Sequence, residues 1–193
     1  MVTSFELTLP AWADDVLARA PQTLPDAAAR MRWVIDLSRT NFERDTGGPF
    51  AAAVFEEHTG RVVSLGVNRV VAGRCSSAHA EVMALSLAQR ALGVHDLGGP
   101  GLPAHQLVVS WCPCAMCCGA ICWSGVRSLV IAGSGPEMEA LTGFDEGPIH
   151  PAWPDELRRR GIAVHDGLLR EESLEAFRQF AKSGRPVYNA RQG

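Results

Sequence analysis

The chain has 193 residues, enough for one domain with its own core and short for two. Hydrophobic residues make up 47% of it, so no framework of disulfides is required to hold a fold together. The net charge of −3 argues against a surface that coats nucleic acid.

Met1 to Pro10 carries Glu6 and no basic run before an apolar stretch. No secretory leader is therefore expected, and the expected compartment is the cytoplasm. Ala11 to Ala20 reads as a short amphipathic helix. Pro25 to Arg44 reads as a second, with Met31, Val34, Ile35, Leu37 and Ser38 on one face. Thr46-Gly47-Gly48-Pro49 breaks it. Phe50 to Phe55 and Val62 to Val67 are apolar and β-rich, and His58-Thr59-Gly60 between them makes a hairpin. Ala78 to Leu92 is a strong helix pattern, with Ser76 or Ser77 as the expected N-cap and Gly93 as its stop.

Gln106 to Trp111 is a buried strand, and Pro113 suits the first turn of a helix that runs to about Ser124. No charge occurs from Leu107 to Val126. That is long enough to span a bilayer, but Pro113 and the cysteines divide it into a strand and a helix, so it reads as core and not as membrane. Arg127 to Ala132 is a strand, Pro136 to Leu141 a short helix, and Gly143 to Pro154 a loop. Asp155 to Arg160 is helical, Ile162 to His165 a strand, and Glu171 to Lys182 the last helix. Two helices, a hairpin and then alternating helices and strands predict a three-layer α/β/α domain. The connection from Ala132 to Ile162 is long enough for a crossover, which predicts a parallel pairing of the last two strands. The expected organisation is a single domain over 1–193, with N-terminal helices at about 11–44 and a C-terminal segment at about 184–193 that covers an active site.

Five of the six cysteines fall between Cys112 and Cys122, too crowded to crosslink a fold. Such clustering points to metal binding or reduced thiols. His79 stands at the edge of the strongest helix, with Glu81 two residues on. Cys114 and Cys117 stand three apart at the start of the next, nearly one turn, so both sulfurs reach one ion. A helix N-terminus also favours thiolate over thiol. His79-Ala80-Glu81 with Pro113-Cys114-Ala115-Met116-Cys117 matches the H-x-E and P-C-x-x-C signature of zinc deaminases. Bound zinc lowers the pKa of water to about 7. Glu81, not itself a ligand, then takes the water proton and passes it to a ring nitrogen of the substrate. The alternative is a closed structural zinc site, for which Cys112 is the obvious fourth ligand. Cys75 and Cys122 are expected to be core thiols.

Beyond this signature, the chain resembles the bacterial guanine deaminases of the cytidine-deaminase superfamily. The matching strings are Gly47-Gly48-Pro49-Phe50, Asn68-Arg69-Val70, Cys117-Cys118-Gly119-Ala120, Trp123, Gly143 to Pro148 and Tyr188-Asn189-Ala190-Arg191. The resemblance implies a mixed five-stranded sheet between helices and one zinc ion per subunit. It implies a homodimer whose C-terminal segments are exchanged, so that Tyr188 closes the partner's site. It implies that Asn68 hydrogen-bonds the base, that Phe50 and Trp123 pack on its faces, and that Ala80 borders it. Glu146, or else Asp145, would contact the amino side and help ammonia leave. The implied substrate is a free nucleobase, guanine before amino-triazines. One departure is Cys112, where that family usually has glutamate. The competing readings are a nucleoside or tRNA deaminase and a non-catalytic, zinc-stabilised binding module.

Overall fold

The computed structural model of the chain describes residues 1–190. Arg191, which belongs to the expected C-terminal segment, lies outside them.

The chain opens with α1 (Trp12–Arg19) and α2 (Ala27–Glu43), the second capped by the Asp26 side chain on the Ala29 N–H. The hairpin β1 (Ala51–Glu56) and β2 (Val62–Val67) follows, then a single turn, α3 (Val70–Gly73). Helix α4 (Ala80–Leu92) leads to β3 (His105–Val109), α5 (Ala115–Ser124) and β4 (Ser128–Ile131). The chain continues through α6 (Glu137–Thr142), α7 (Trp153–Arg159), β5 (Ala163–His165) and α8 (Arg170–Lys182).

The five strands form one sheet in the order β2-β1-β3-β4-β5. β1 is antiparallel to β2 and β3, whereas β3, β4 and β5 run parallel, as the long final crossover requires. Side chains alternate across the sheet. Ala51, Ala53 and Phe55 face Met31, Val34 and Ile35 of α2. Ala52 and Val54 face Ala84 and Leu85 of α4 and Ile121 of α5. The sheet is therefore covered on both faces, which gives three layers. It also explains why β3 and β4 read as continuous apolar runs and not as alternating ones. None of the described helices is long and apolar enough to cross a membrane.

Because β1 and β3 are antiparallel, Phe50 before β1 and Trp111 after β3 emerge at the same end of the sheet. There a third cluster gathers Phe42, Trp111, Met138, Phe144, Leu174, Phe177 and Phe180. Trp111 and Phe177 are almost fully buried and meet edge to face at 5.6 Å. This cluster braces the loops at that end, which carry little regular structure of their own.

Several local expectations change. α3 is too short to leave a periodic signal. Ser76 and Ser77 do not cap α4: the Ala78 N–H closes a turn onto the Cys75 carbonyl, and Ser77 turns its hydroxyl to the Cys75 thiol. His79 takes the cap position instead. Pro113 lies just ahead of α5, whose cap is Cys114. α7 starts at Trp153, because Pro154 fits a first turn where no N–H is needed. Cys75 and Cys122 are half-buried, not core thiols, and all six thiols are free.

Candidate zinc site and nucleobase pocket

The site is built on two helix starts. His79 caps α4 with extended backbone angles, φ −72° and ψ 156°. Cys114 caps α5 in the same way, with φ −67° and ψ 173°. Cys117 follows within the first turn of α5 and is fully buried. Among the described residues these three form the group able to hold a metal, with ligand atoms within 4.8 Å of one another. Two ligands at Zn–S of about 2.3 Å and Zn–N of about 2.0 Å, set tetrahedrally, lie about 3.5 Å apart. The Cys114 Sγ to His79 Nδ1 distance is 3.5 Å. One imidazole and two thiols are the donor chemistry that zinc takes, and a three-ligand set leaves a fourth position free. The residues fit the ion.

Electrostatics prepare the sulfurs. The Cys117 thiol hydrogen-bonds Cys114 and, against the cost of burial, holds it down at about 4. The same bond, with burial added, pushes Cys117 up. Burial works against a charged His79, but the hydrogen bond to Cys114 and the charges of Cys114, Glu81 and Glu146 raise it overall. Cys112 is outside the metal group and is pushed up to about 12, first by burial and then by the charge of Glu146. Among the described residues the metal group has no fourth side-chain ligand.

A cavity of about 350 Å³ opens beside these ligands, a size suited to a small molecule. Its floor includes His79, Ala80, Glu81 and Cys114, and its walls include Phe50, Asn68, Val109 and Phe144. Asp145, Glu146, Tyr188 and Asn189 close its rim. Glu81 is 6% exposed and sits in the first turn of α4. Burial, then the Cys114 charge, pushes it up to about 7. Burial, then the charges of Cys114 and Glu81, pushes Glu146 up to about 8. Two carboxyls in one cavity thus stand near neutrality, the range suited to proton exchange at physiological pH.

Asn68 is held rigidly. Its N–H donates to the Phe50 carbonyl at 3.0 Å, its Oδ1 accepts from the Val70 N–H at 3.3 Å, and its amide nitrogen donates to the Tyr188 hydroxyl. Its carbonyl accepts from Asn41 Nδ2, which also donates to the Gly48 carbonyl, both at 2.9 Å. Asn41 is a support that sequence reasoning missed; its one visible signal is an amide on the buried face of α2. A Cβ on Gly47 would sit 1.9 Å from the Asn68 carbonyl oxygen, so only glycine allows this approach. Tyr188 reaches the pocket of its own chain and meets the Phe144 ring edge to face at 5.2 Å. Burial raises its phenol well above the usual range.

The adjacent carboxylates differ. Asp145 is exposed and uses Oδ1 to accept from the Gly147 N–H at 2.8 Å, closing a turn. Glu146 is the one held within reach of the charges of Glu81 and Cys114.

Trp123 is not brought to the pocket and is 87% exposed. On α5 it lies six residues beyond Cys117, a rotation of about 240°, so the helix turns it away. Phe144 supplies the second aromatic wall in its place.

The family model described as "Cytidine and deoxycytidylate deaminase zinc-binding region" matches residues 26–133. A guanine deaminase structure from Nitrosomonas europaea is 48% identical and superposes with a TM-score of 0.88, over 94% of this chain and 98% of that one. A structure in complex with 2,6-diaminopurine is 48% identical with a TM-score of 0.89, over 97% of this chain and 98% of that one. Guanine deaminase of Bacillus subtilis (strain 168) is 31% identical over 153 residues, 78% of this chain and 93% of that protein. With the family match spanning more than half of the chain, and with His79, Cys114 and Cys117 positioned to hold the ion, the chain belongs to the cytidine and deoxycytidylate deaminase zinc-binding family.

Proposed function

We propose that the chain is a guanine deaminase that converts guanine and water to xanthine and ammonia. The observation that carries this reading is a pair of carboxyls, buried Glu81 and half-buried Glu146, that line one cavity beside a three-ligand metal group and are both pushed up toward neutrality. The 48% identity to a guanine deaminase over almost the whole chain supports the choice of base.

His79, Cys114 and Cys117 would hold zinc, which when bound would supply the acidity that lets water ionise near neutral pH. Glu81 takes one water proton and delivers it to the ring nitrogen next to the carbon that bears the amino group. The water oxygen becomes bonded to that carbon. Glu146 transfers the second proton to the amino nitrogen, the carbon–nitrogen bond breaks, and ammonia leaves. Atoms balance: water gives its oxygen to xanthine, one proton to the ring and one to ammonia. Asn68 orients the base, Phe50 and Phe144 contact its faces, and Ala80 backs it. Tyr188 covers the pocket and excludes bulk water, with Asp145 at the rim.

The covering segment and the net charge of −3 favour a free base over a nucleoside or tRNA, since ribose or phosphate would need the space Tyr188 fills. We further infer one functional unit over 1–193, acting in the cytoplasm in purine breakdown. A homodimer is supported by α5, which has no charged residue and exposes Trp123 and Met116. Exchange of the C-terminal segments is not needed to close a site, because Tyr188 reaches its own chain's pocket. The test is ammonia release from guanine, adenine, cytosine, guanosine and cytidine with zinc-loaded protein. Turnover of guanine with little on nucleosides is expected; turnover confined to nucleosides would overturn the substrate.

A further inference from the structure

The segment after α8 does more than cover the pocket. It crosses the molecule as a strap with separate anchors. The Arg185 guanidinium donates to Asp45 Oδ1 at 2.6 Å and to the Glu43 carbonyl at 3.1 Å, and lies over the Phe42 ring. Tyr188 meets Asn68 and Phe144. Asn189 then turns both ends of its amide onto one short stretch of chain. Its Nδ2 donates to the Gly143 carbonyl at 2.9 Å, and its Oδ1 accepts from the Asp145 N–H at 3.0 Å.

That stretch leads directly to Glu146 and has no regular structure. Left-handed glycines bracket it, Gly143 at φ +80° and Gly147 at φ +71°. Among the described residues Glu146 itself is fixed through its backbone: its carbonyl accepts from the Ala115 N–H and its N–H donates to Glu139, each at 3.3 Å. The shorter, two-point contact on this loop is the one from Asn189. A side-chain amide that satisfies a carbonyl and an N–H two residues apart acts as a one-residue strand partner.

We propose that Asn189 is a positioning residue for proton transfer: it fixes the 143–145 backbone and thereby holds Glu146 toward the cavity. This rests on the reading of Glu146 as the group that protonates the leaving amine.

The test is a double-mutant cycle on the zinc-loaded full chain with guanine, using Asn189→Ala, Glu146→Gln and the double variant. Zinc content and melting temperature are measured on each. Asn189→Ala is expected to lower kcat by about 10- to 100-fold, the effect of a displacement of about 1 Å, with KM changed far less. In the Glu146→Gln background the same substitution should leave kcat within about twofold. Full additivity would overturn the proposal while leaving Glu146 in its role. A raised KM with unchanged kcat would do the same, since it would make Asn189 a cover only. Wild-type kcat in Glu146→Gln would overturn the reading of Glu146 and the proposal with it.

Discussion

Replacing Gly66 by alanine should damage the metal site from the far side of a helix. Gly66 lies on β2 opposite Ala52, with its missing side chain directed at α4. A Cβ there would stand 2.2 Å from the Ala80 carbonyl oxygen, 2.4 Å from the Ala84 nitrogen and 3.0 Å from the Ala84 Cα. All three are backbone atoms, so no rotamer change relieves them. Ordinary contact at about 3.4 Å requires α4 to retreat by about 1 Å. Ser64, on the same strand, meanwhile holds the Ala84 carbonyl at 2.7 Å and opposes that movement. Overpacking of this kind costs about 1–3 kcal/mol, and in a chain of this size each kcal/mol lowers Tm by about 2–4 °C. His79 and Glu81 ride on the start of α4, whereas Cys114 and Cys117 belong to α5. A relative shift of about 1 Å between them should lower turnover by about 100-fold. The assays are thermal unfolding, bound zinc and ammonia release from guanine. A Gly66→Ala variant with wild-type Tm and turnover would refute the claim that backbone contact between β2 and α4 sets the site.

Glu81→Gln should keep its zinc and lose turnover by about 10²- to 10⁴-fold, the usual worth of a general acid–base; metal analysis beside an ammonia assay reads both, and full activity would remove Glu81 from the reaction. Zinc affinity should rise with pH. The Cys114 thiol is already ionised above about 4, but Cys117 is raised and must give up its proton to become a ligand. His79 is raised as well and must be neutral to ligate, so binding near pH 7 should release at least one proton and tighten by at least about tenfold per pH unit. Calorimetry in buffers of different ionisation enthalpy counts that proton, and a pH-independent affinity would contradict the assignment.

The metal group was legible because its spacing is local. His79 with Glu81, and Cys114 with Cys117, each fit within a turn at a helix start, and helix starts follow from composition and glycine stops. The parallel pairing of β4 and β5 was legible from the length of the crossover alone. What escaped depends on distant partners. Nothing near Asn41 in sequence indicates that it supports Asn68 from 27 residues away. Gly66 reads as a weak point in a strand until α4 lies against it. The resemblance implied that Trp123 packs on the base, but residue type does not fix which side of a helix faces the cavity of its own chain. Ser76 and Ser77 are good caps by type and were drawn into a turn by Cys75.

That both α4 and α5 begin at a metal ligand has a consequence for the protein without its ion. A capping side chain is worth about 1 kcal/mol to a helix. Neither His79 nor Cys114 makes such a bond to its own helix, because each is turned toward the metal position instead. The ion would serve as a shared fastener for the two helix starts, beside the bond from the Ala115 N–H to the Glu146 carbonyl at the start of α5. Chelation should let both first turns fray, seen as faster amide exchange in residues 80–83 and 115–118 than in the adjoining strands. Loss of zinc would then loosen the cavity floor and leave the sheet intact.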